Sequence, residues 1–215
     1  MRRFAKLFKV SRTTVKRKMD FLADQAKLNQ SKWLASRDKF TNVQLDDLET
    51  FEHTKCKPVT VSFFVENKSR KIIDFSVAQI GAKGRLTHIA NKKYGKRFNE
   101  SRVKRKELFQ RVIPFLNKAA VIHSDEHLHY PLLIKRYFPQ AQHKRHKGAK
   151  SASTGQGELK KGGFDPLYSI NHTFAMMRYG INRLVRRTWC TTKCLKALEN
   201  HIAIYVDFHN QVLTP

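Results

Sequence analysis

Two apolar runs at alternating positions, Val59, Val61, Phe63, Val65 and then Ile72, Ile73, Phe75, Val77, flank the turn formers Glu66-Asn67-Lys68-Ser69, and Val43 and Leu45 precede them. Alternation of this kind, bounded by polar turn residues, is the mark of strands that bury at least one face. The spacing predicts three successive strands in a meander that begins near Asn42. The period then changes. Within residues 100–118, Val103, Leu108, Val112, Phe115 and Leu116 recur as one side of a helix, with Lys104, Arg105 and Lys106 off that side. The run Ala119 to Ile122, ending in His123-Ser124-Asp125, predicts a fourth strand; Pro131 to Phe138 predicts a helix and Gln140 to Lys147 a last, basic strand. Asp165-Pro166 reads as an N-cap and first helical residue of a helix reaching about Thr188, with Ile170, Phe174, Met177, Ile181 and Leu184 inward. Thr191 or Thr192 is placed to cap a final helix that turns Leu195, Leu198, Ile202 and Tyr205 inward. Strands and helices mixed in this order define an α/β chain, a mixed sheet flanked by helices.

Upstream lie two shorter helical pieces, Arg3 to Phe8 and Arg12 to about Gln30, with Ser11 as N-cap of the second. Val15, Met19, Leu22 and Ala26 share one side of it, and Arg12, Thr13, Thr14, Lys16, Arg17 and Lys18 crowd its N-terminal half. A helix, a tight turn and a second helix opening on basic and hydroxyl residues suit a helix-turn-helix placed in a DNA major groove. So little of a first helix precedes the turn that the module is expected to be shortened at its N-terminus. The expected division is therefore a helix-turn-helix segment over 1–40 and a larger domain over 41–215. Within the latter, a basic stretch at 140–163 includes Ser151 to Gly163, which reads as a mobile loop.

Charge identifies the kind of partner. The chain has 43 Lys and Arg against 17 Asp and Glu, a formal net charge of +26. So strong a self-repulsion calls for a polyanion, and nucleic acid is the natural one for a globular chain. A hydrophobic fraction of 40%, with 15 Phe, excludes a wholly disordered basic tail. No apolar run reaches the length of a membrane span, and the basic start has no apolar segment of a signal peptide, so a soluble, cytoplasmic chain is expected. Cys56, Cys190 and Cys194 form no CxxC pair and are read as reduced thiols, Cys190 and Cys194 as packing residues.

The acids are the informative minority. Asp46 lies in the run Val-Gln-Leu-Asp-Asp, and Asp125 ends Val-Ile-His-Ser-Asp. Carboxylates delivered by apolar strands are costly to bury unless they pair with a cation, bind metal or reach solvent. If the strands are neighbours, the two acids repel unless a divalent ion such as Mg²⁺, which takes hard oxygen ligands, lies between them. His123, His127 and His129 around Asp125 admit a zinc reading, but no HExxH accompanies them. His123 or His172 is alternatively a proton donor near a scissile phosphate.

The segments VQLDDLETFEH (Val43–His53), VIHSDEHLHYP (Val121–Pro131) and SINHTFAMMRYGINRLVRRTWCTTK (Ser169–Lys193), with SRTTVKRKM upstream, resemble DDE-type insertion-sequence transposases of the IS-one kind. That likeness covers nearly the whole chain. It implies an RNase H-like catalytic domain after the helix-turn-helix and Mg²⁺ or Mn²⁺ as cofactor. The implied activity is DNA strand cleavage and transfer, and the partners are double-stranded DNA, as terminal inverted repeats and target, and other copies of the chain in a bacterial nucleoid. Position by position, the first two catalytic acids and metal ligands fall on Asp46 and Asp125, and the family's glutamate falls on Asn171. Asn171 would offer a neutral carbonyl oxygen; another acid, with Glu199 behind Asn171, is the alternative, and a copy that binds DNA without catalysis is the rival reading. DNA contacts are expected from Arg12, Thr13, Thr14, Lys16 and Arg17, from Lys144, Arg145 and Lys147, and from Arg178, Arg183, Arg186 and Arg187.

Overall fold

A computed structural model of the chain describes residues 2–147, 164–184 and 191–214. The expected loop at 151–163 and the positions of Arg186, Arg187 and Cys190 lie outside the described residues. In chain order the strands are β1 (Phe40–Phe51), β2 (Pro58–Glu66), β3 (Ile72–Gln79), β4 (Leu116–Ser124) and β5 (Gln142–Arg145). The helices are α1 (Arg2–Leu7), α2 (Arg12–Ala35), α3 (Leu86–Tyr94), α4 (Ser101–Val112), α5 (Tyr130–Tyr137), α6 (Tyr168–Gly180) and α7 (Leu195–Phe208). The five strands form one sheet in the order β3-β2-β1-β4-β5. β1, β2 and β3 pair antiparallel, whereas β4 joins β1, and β5 joins β4, in parallel. The fold is therefore mixed α/β, as the change of period predicts.

Each sheet face has its own core. Val43, Leu45, Phe64 and Ile73 pack against Leu108, Phe109 and Val112 of α4 and Tyr130, Leu133 and Ile134 of α5. On the other face Leu48, Val61, Phe63 and Val65 meet Ile170, Phe174 and Met177 of α6 and Leu198, Ile202 and Val206 of α7. Residues 44, 46 and 48 of β1 thus look toward α6 and α7, and residues 43, 45 and 47 toward α4 and α5.

Several boundaries differ from the sequence pattern. The helix expected over 100–118 ends at Val112, because Pro114 has no N–H to donate; a single 3₁₀ turn, Ile113–Phe115, leads into a β4 that starts three residues earlier than expected. Val103 is exposed, and Arg105 takes the inward position instead. The helix expected to reach Thr188 stops at Gly180, where any Cβ would lie 2.9 Å from the Tyr205 ring. Asp165 is not the N-cap: Leu167 is, and Asp165 accepts a hydrogen bond from the Leu167 N–H at 2.8 Å in the preceding turn. Cys194, not Thr191 or Thr192, precedes α7, and its exposure removes it from the packing residues. On α2, Leu22 and Met19 give way to Ala23 and Leu34 among the buried residues. α3 was absent from the sequence pattern because only Ala90 of its residues is buried.

α2 lies along α7. Lys27 reaches Glu199 at 2.8 Å, Asn29 donates to Asp207, and Asn200 donates to Asp20. Gln30 donates from Nε2 to the Ile72 and Ile73 carbonyls of edge strand β3, covering acceptors that would otherwise invite another strand. The first turns of α2 lie beyond this packing, and Ser11 caps them as expected, accepting from the Thr14 N–H at 3.0 Å. Ser11→Ala should cost about 1 kcal/mol of helix stability. Because every residue of 11–18 except Val15 is exposed, the loss is predicted as faster amide exchange over 12–16 with little change in global melting; unchanged exchange there would show that the cap does not hold the helix start.

Candidate active site

The two acids of the sequence pattern lie on or just after neighbouring strands, Asp46 in β1 and Asp125 directly after β4. Leu45 stands opposite Ser124 in their parallel register, so Asp46 and Asp125 each follow a paired position on adjacent strands. Alternation turns Asp46 to the same side of β1 as Gln44, which pairs with His123, whereas Asp125 is the residue after the last of β4. Tyr130, in the core on the α4 and α5 side, feels the charge of both acids. Burial pushes its hydroxyl well above the ordinary range, and the charges of Asp47, Asp46 and Asp125 add to the shift while Arg105 opposes it. Asp125 Oδ1 accepts the His127 N–H at 3.0 Å, and Asp46 Oδ1 accepts the Asp47 N–H at 2.7 Å.

Gln44 fixes the start of α6 over this face. Its carbonyl oxygen, Oε1, accepts the Ile170 N–H at 2.8 Å, and its Nε2 donates to the Pro166 carbonyl at 3.0 Å and to Asn67 Oδ1 at 3.1 Å. Asn67, at the β2–β3 turn, also accepts from the Ser169 hydroxyl. A buried glutamine two residues before Asp46 therefore determines where Asn171, the residue after Ile170, is carried. Asn171 in turn donates from Nδ2 to Asp165 Oδ2 at 2.9 Å. Two carboxylates and an amide carbonyl are hard oxygen donors of the kind Mg²⁺ and Mn²⁺ accept. Among the described residues no group of three or more His, Cys, Asp and Glu side chains is arranged to hold a metal.

The alternatives for the third donor are engaged elsewhere. Glu199 pairs with Lys27 and Lys196 beside β3, in a cleft of about 520 Å³ that also includes Asp74 and Arg111. Asp47 faces away from Asp46: its carboxylate accepts from Ser62 Oγ at 2.5 Å and from the Arg105 guanidinium, whose side chain is 5% exposed. Burial raises the Asp47 carboxyl, but the charge and hydrogen bond of Arg105 outweigh it and hold the group below its ordinary value. Residue spacing gives no sign of this buried pair, although an acid turned into an apolar face requires a cation.

The histidines around Asp125 do not gather on one point. His123 Nδ1 meets His146 Nε2 at 2.8 Å, their rings stacked, and His143 Nε2 meets Ser124 Oγ at 2.8 Å. His127 lies against Arg105 and Tyr130. Their hydrogen-bonded and stacked arrangement disfavours the zinc reading. His172 lies beside Asn171, with Nδ1 at 2.8 Å from Arg70.

Burial is the first cause that lowers His123, His127, His143, His172, His201 and His209, and it takes His201, also beside Arg183, to about 4. The sign follows from linkage. A histidine depressed in the folded state is neutral there while the unfolded chain takes up protons below about 6.5, so its stabilisation is complete above that pH and is lost as pH falls toward the folded value. The melting temperature is predicted to fall between pH 6.5 and 5, and His201→Gln should flatten the fall. A melting temperature that rises on acidification over this range would contradict the burial of these rings.

Among the expected DNA contacts, Arg12, Thr13, Thr14, Lys16 and Arg17 are exposed on the first turns of α2, and Lys144, Arg145 and Lys147 are exposed on and after β5, beside β4. Arg178 on α6 is half-buried and engaged with other groups; Arg183 follows in a 3₁₀ turn, where burial pushes its guanidinium down despite the nearby Cys194. No helix among the described residues is long and apolar enough to cross a membrane. No protein-family model matches the sequence, and no curated protein matches it.

Proposed function

We propose that this chain is a transposase of the DDE type with an RNase H-like catalytic domain, and that it cuts and joins DNA with Mg²⁺ or Mn²⁺ bound by Asp46, Asp125 and Asn171. The observation that carries this reading is the parallel β1–β4 register, in which Leu45 and Ser124, the residues just before Asp46 and Asp125, stand opposite each other while Gln44 holds the start of α6. An antiparallel meander extended by two parallel strands on the far side of β1 supports the RNase H-like assignment. A bound divalent ion would activate the attacking oxygen and stabilise the charge of the leaving one. The chain's own contribution is placement. Asp46 and Asp125 supply the negative charge that holds the cation, Asn171 supplies a neutral oxygen, and the surrounding cations hold the phosphate backbone in line. Water attacks phosphorus and the 3′ oxygen leaves; the freed 3′ hydroxyl then attacks a second phosphodiester.

Duplex DNA would be drawn to the basic surfaces. The exposed cluster at the head of α2 is suited to reading the element's terminal repeats as a helix-turn-helix, with a second copy of the chain at the other end of the element. Replacing Arg12, Lys16 and Arg17 together with alanine should weaken binding to end-repeat duplex and reduce the slope of log affinity against log salt by about 0.9 for every phosphate these residues neutralise. An unchanged slope would remove these residues from the interface.

One observation favours a second reading, a DNA-binding protein without catalysis: Asn171 brings no charge where the resembled family has glutamate. Incubation of the purified chain with end-repeat DNA in Mg²⁺ or Mn²⁺ separates the two. Metal-dependent nicking at the element end supports the transposase. Tight binding with no cleavage in either metal supports the DNA-binding protein without catalysis.

A further inference from the structure

Asn171 can serve as an oxygen donor only if its amide is turned the right way. Its side chain ends in a carbonyl oxygen and an NH₂ group of nearly the same size, and the hydrogen-bond partner decides which end faces which direction. That partner is Asp165. Oδ2 of Asp165 accepts Nδ2–H of Asn171 at 2.9 Å, while Oδ1 accepts the Leu167 N–H at 2.8 Å. The second bond anchors the carboxylate to the backbone that leads into α6. The position of that backbone is set by Gln44, which holds the neighbouring Pro166 carbonyl and the Ile170 N–H. A carboxylate only accepts, so it captures the NH₂ end of Asn171 and turns Oδ1 away from itself.

We infer that Asp165 is the positioning residue of the site: it orients Asn171 so that a carbonyl oxygen joins Asp46 and Asp125 in holding a divalent cation, and it supplies from behind that amide the negative charge that Asn171 lacks. This rests on the metal site proposed above. The same geometry explains the compatibility of the two residues. A glutamate or aspartate at 171 would set a second carboxylate against Asp165, and like charges that close cannot both ionise without cost. Asp165 therefore belongs with asparagine at 171 and conflicts with an acid there.

The test is Mn²⁺ affinity of the full chain, read by electron paramagnetic resonance and independent of turnover, with thermal melting alongside. In Asp165→Asn the new amide keeps a carbonyl for the Leu167 N–H and presents NH₂ to residue 171, so the Asn171 carbonyl turns toward it and away from the cation. Mn²⁺ affinity is expected to fall by about ten- to a hundredfold, the usual effect of removing the partner that orients a ligand. In the Asn171→Asp background the same substitution is expected to raise Mn²⁺ affinity, because it removes a repelling charge. A residue needed only for folding would lower affinity in both backgrounds, in step with melting temperature, and that result overturns the inference. Unchanged affinity in Asp165→Asn, with binding lost in Asp46→Asn, overturns it while leaving the metal site standing. Binding unaffected by Asp46→Asn removes the site and the inference with it.

Discussion

Asp46→Ala and Asp125→Ala are each expected to reduce metal-dependent DNA cleavage by about a thousandfold or more, equivalent to about 4 kcal/mol of transition-state stabilisation, while affinity for end-repeat DNA is retained. The two acids follow paired residues of adjacent parallel strands, and in the proposed site both supply the negative charge that touches the cation. Removing either also relieves repulsion between neighbouring like charges, so the fold should not suffer. The exposed basic residues of α2 are on another element and keep their hold on DNA. Nicking assays and gel shifts on the same preparations check both halves of the expectation. Strand transfer retained in either variant would remove the assignment of these acids.

The second large effect concerns stability. Arg105→Met should destabilise the fold by about 3–5 kcal/mol, because it leaves the Asp47 carboxylate buried beneath α4 without its cation. Replacing both partners, as Asp47→Leu with Arg105→Met, should recover most of that loss, since apolar groups of similar volume fit a face already lined by Leu45, Leu108 and Tyr130. Urea denaturation of the two single variants and the double variant measures the coupling. A cost below about 1 kcal/mol in Arg105→Met would place the pair among solvent-screened surface contacts, contrary to the 5% exposure of the arginine side chain.

Period alone made much of this fold legible. The meander is evident because Val59 to Val65 and Ile72 to Val77 alternate, and β4 because an apolar run ends in an acid. Element order suits a sheet in which the strand carrying Asp46 neighbours the one leading to Asp125, and β1 and β4 do pair, with Leu45 opposite Ser124. What period could not show is where a polar residue occupies an inward position. Arg105 reads as part of a basic side of α4 until Asp47 is seen across from it, and Gln44 reads as the polar half of an alternation, yet it is buried and holds the start of α6. Pro114 and Gly180 carried stop signals that the apolar spacing on either side obscured. Asp165 had the right position for an N-cap, and only the two-residue offset of α6 frees its second oxygen to hold Asn171.

The central claim is that Asp46, Asp125 and the start of α6 share one divalent cation. Iron-mediated cleavage of the polypeptide tests it most directly. Fe²⁺ substitutes for Mg²⁺ at an oxygen-donor site, and with ascorbate and peroxide it generates radicals that cut the chain next to the bound ion. The expected fragments end near residue 46, near residue 125 and between residues 165 and 171, all three suppressed by excess Mg²⁺ and lost in Asp46→Asn. Cuts confined to other segments, such as the β3 side around Glu199, or cuts that persist in Asp46→Asn, would contradict the shared site.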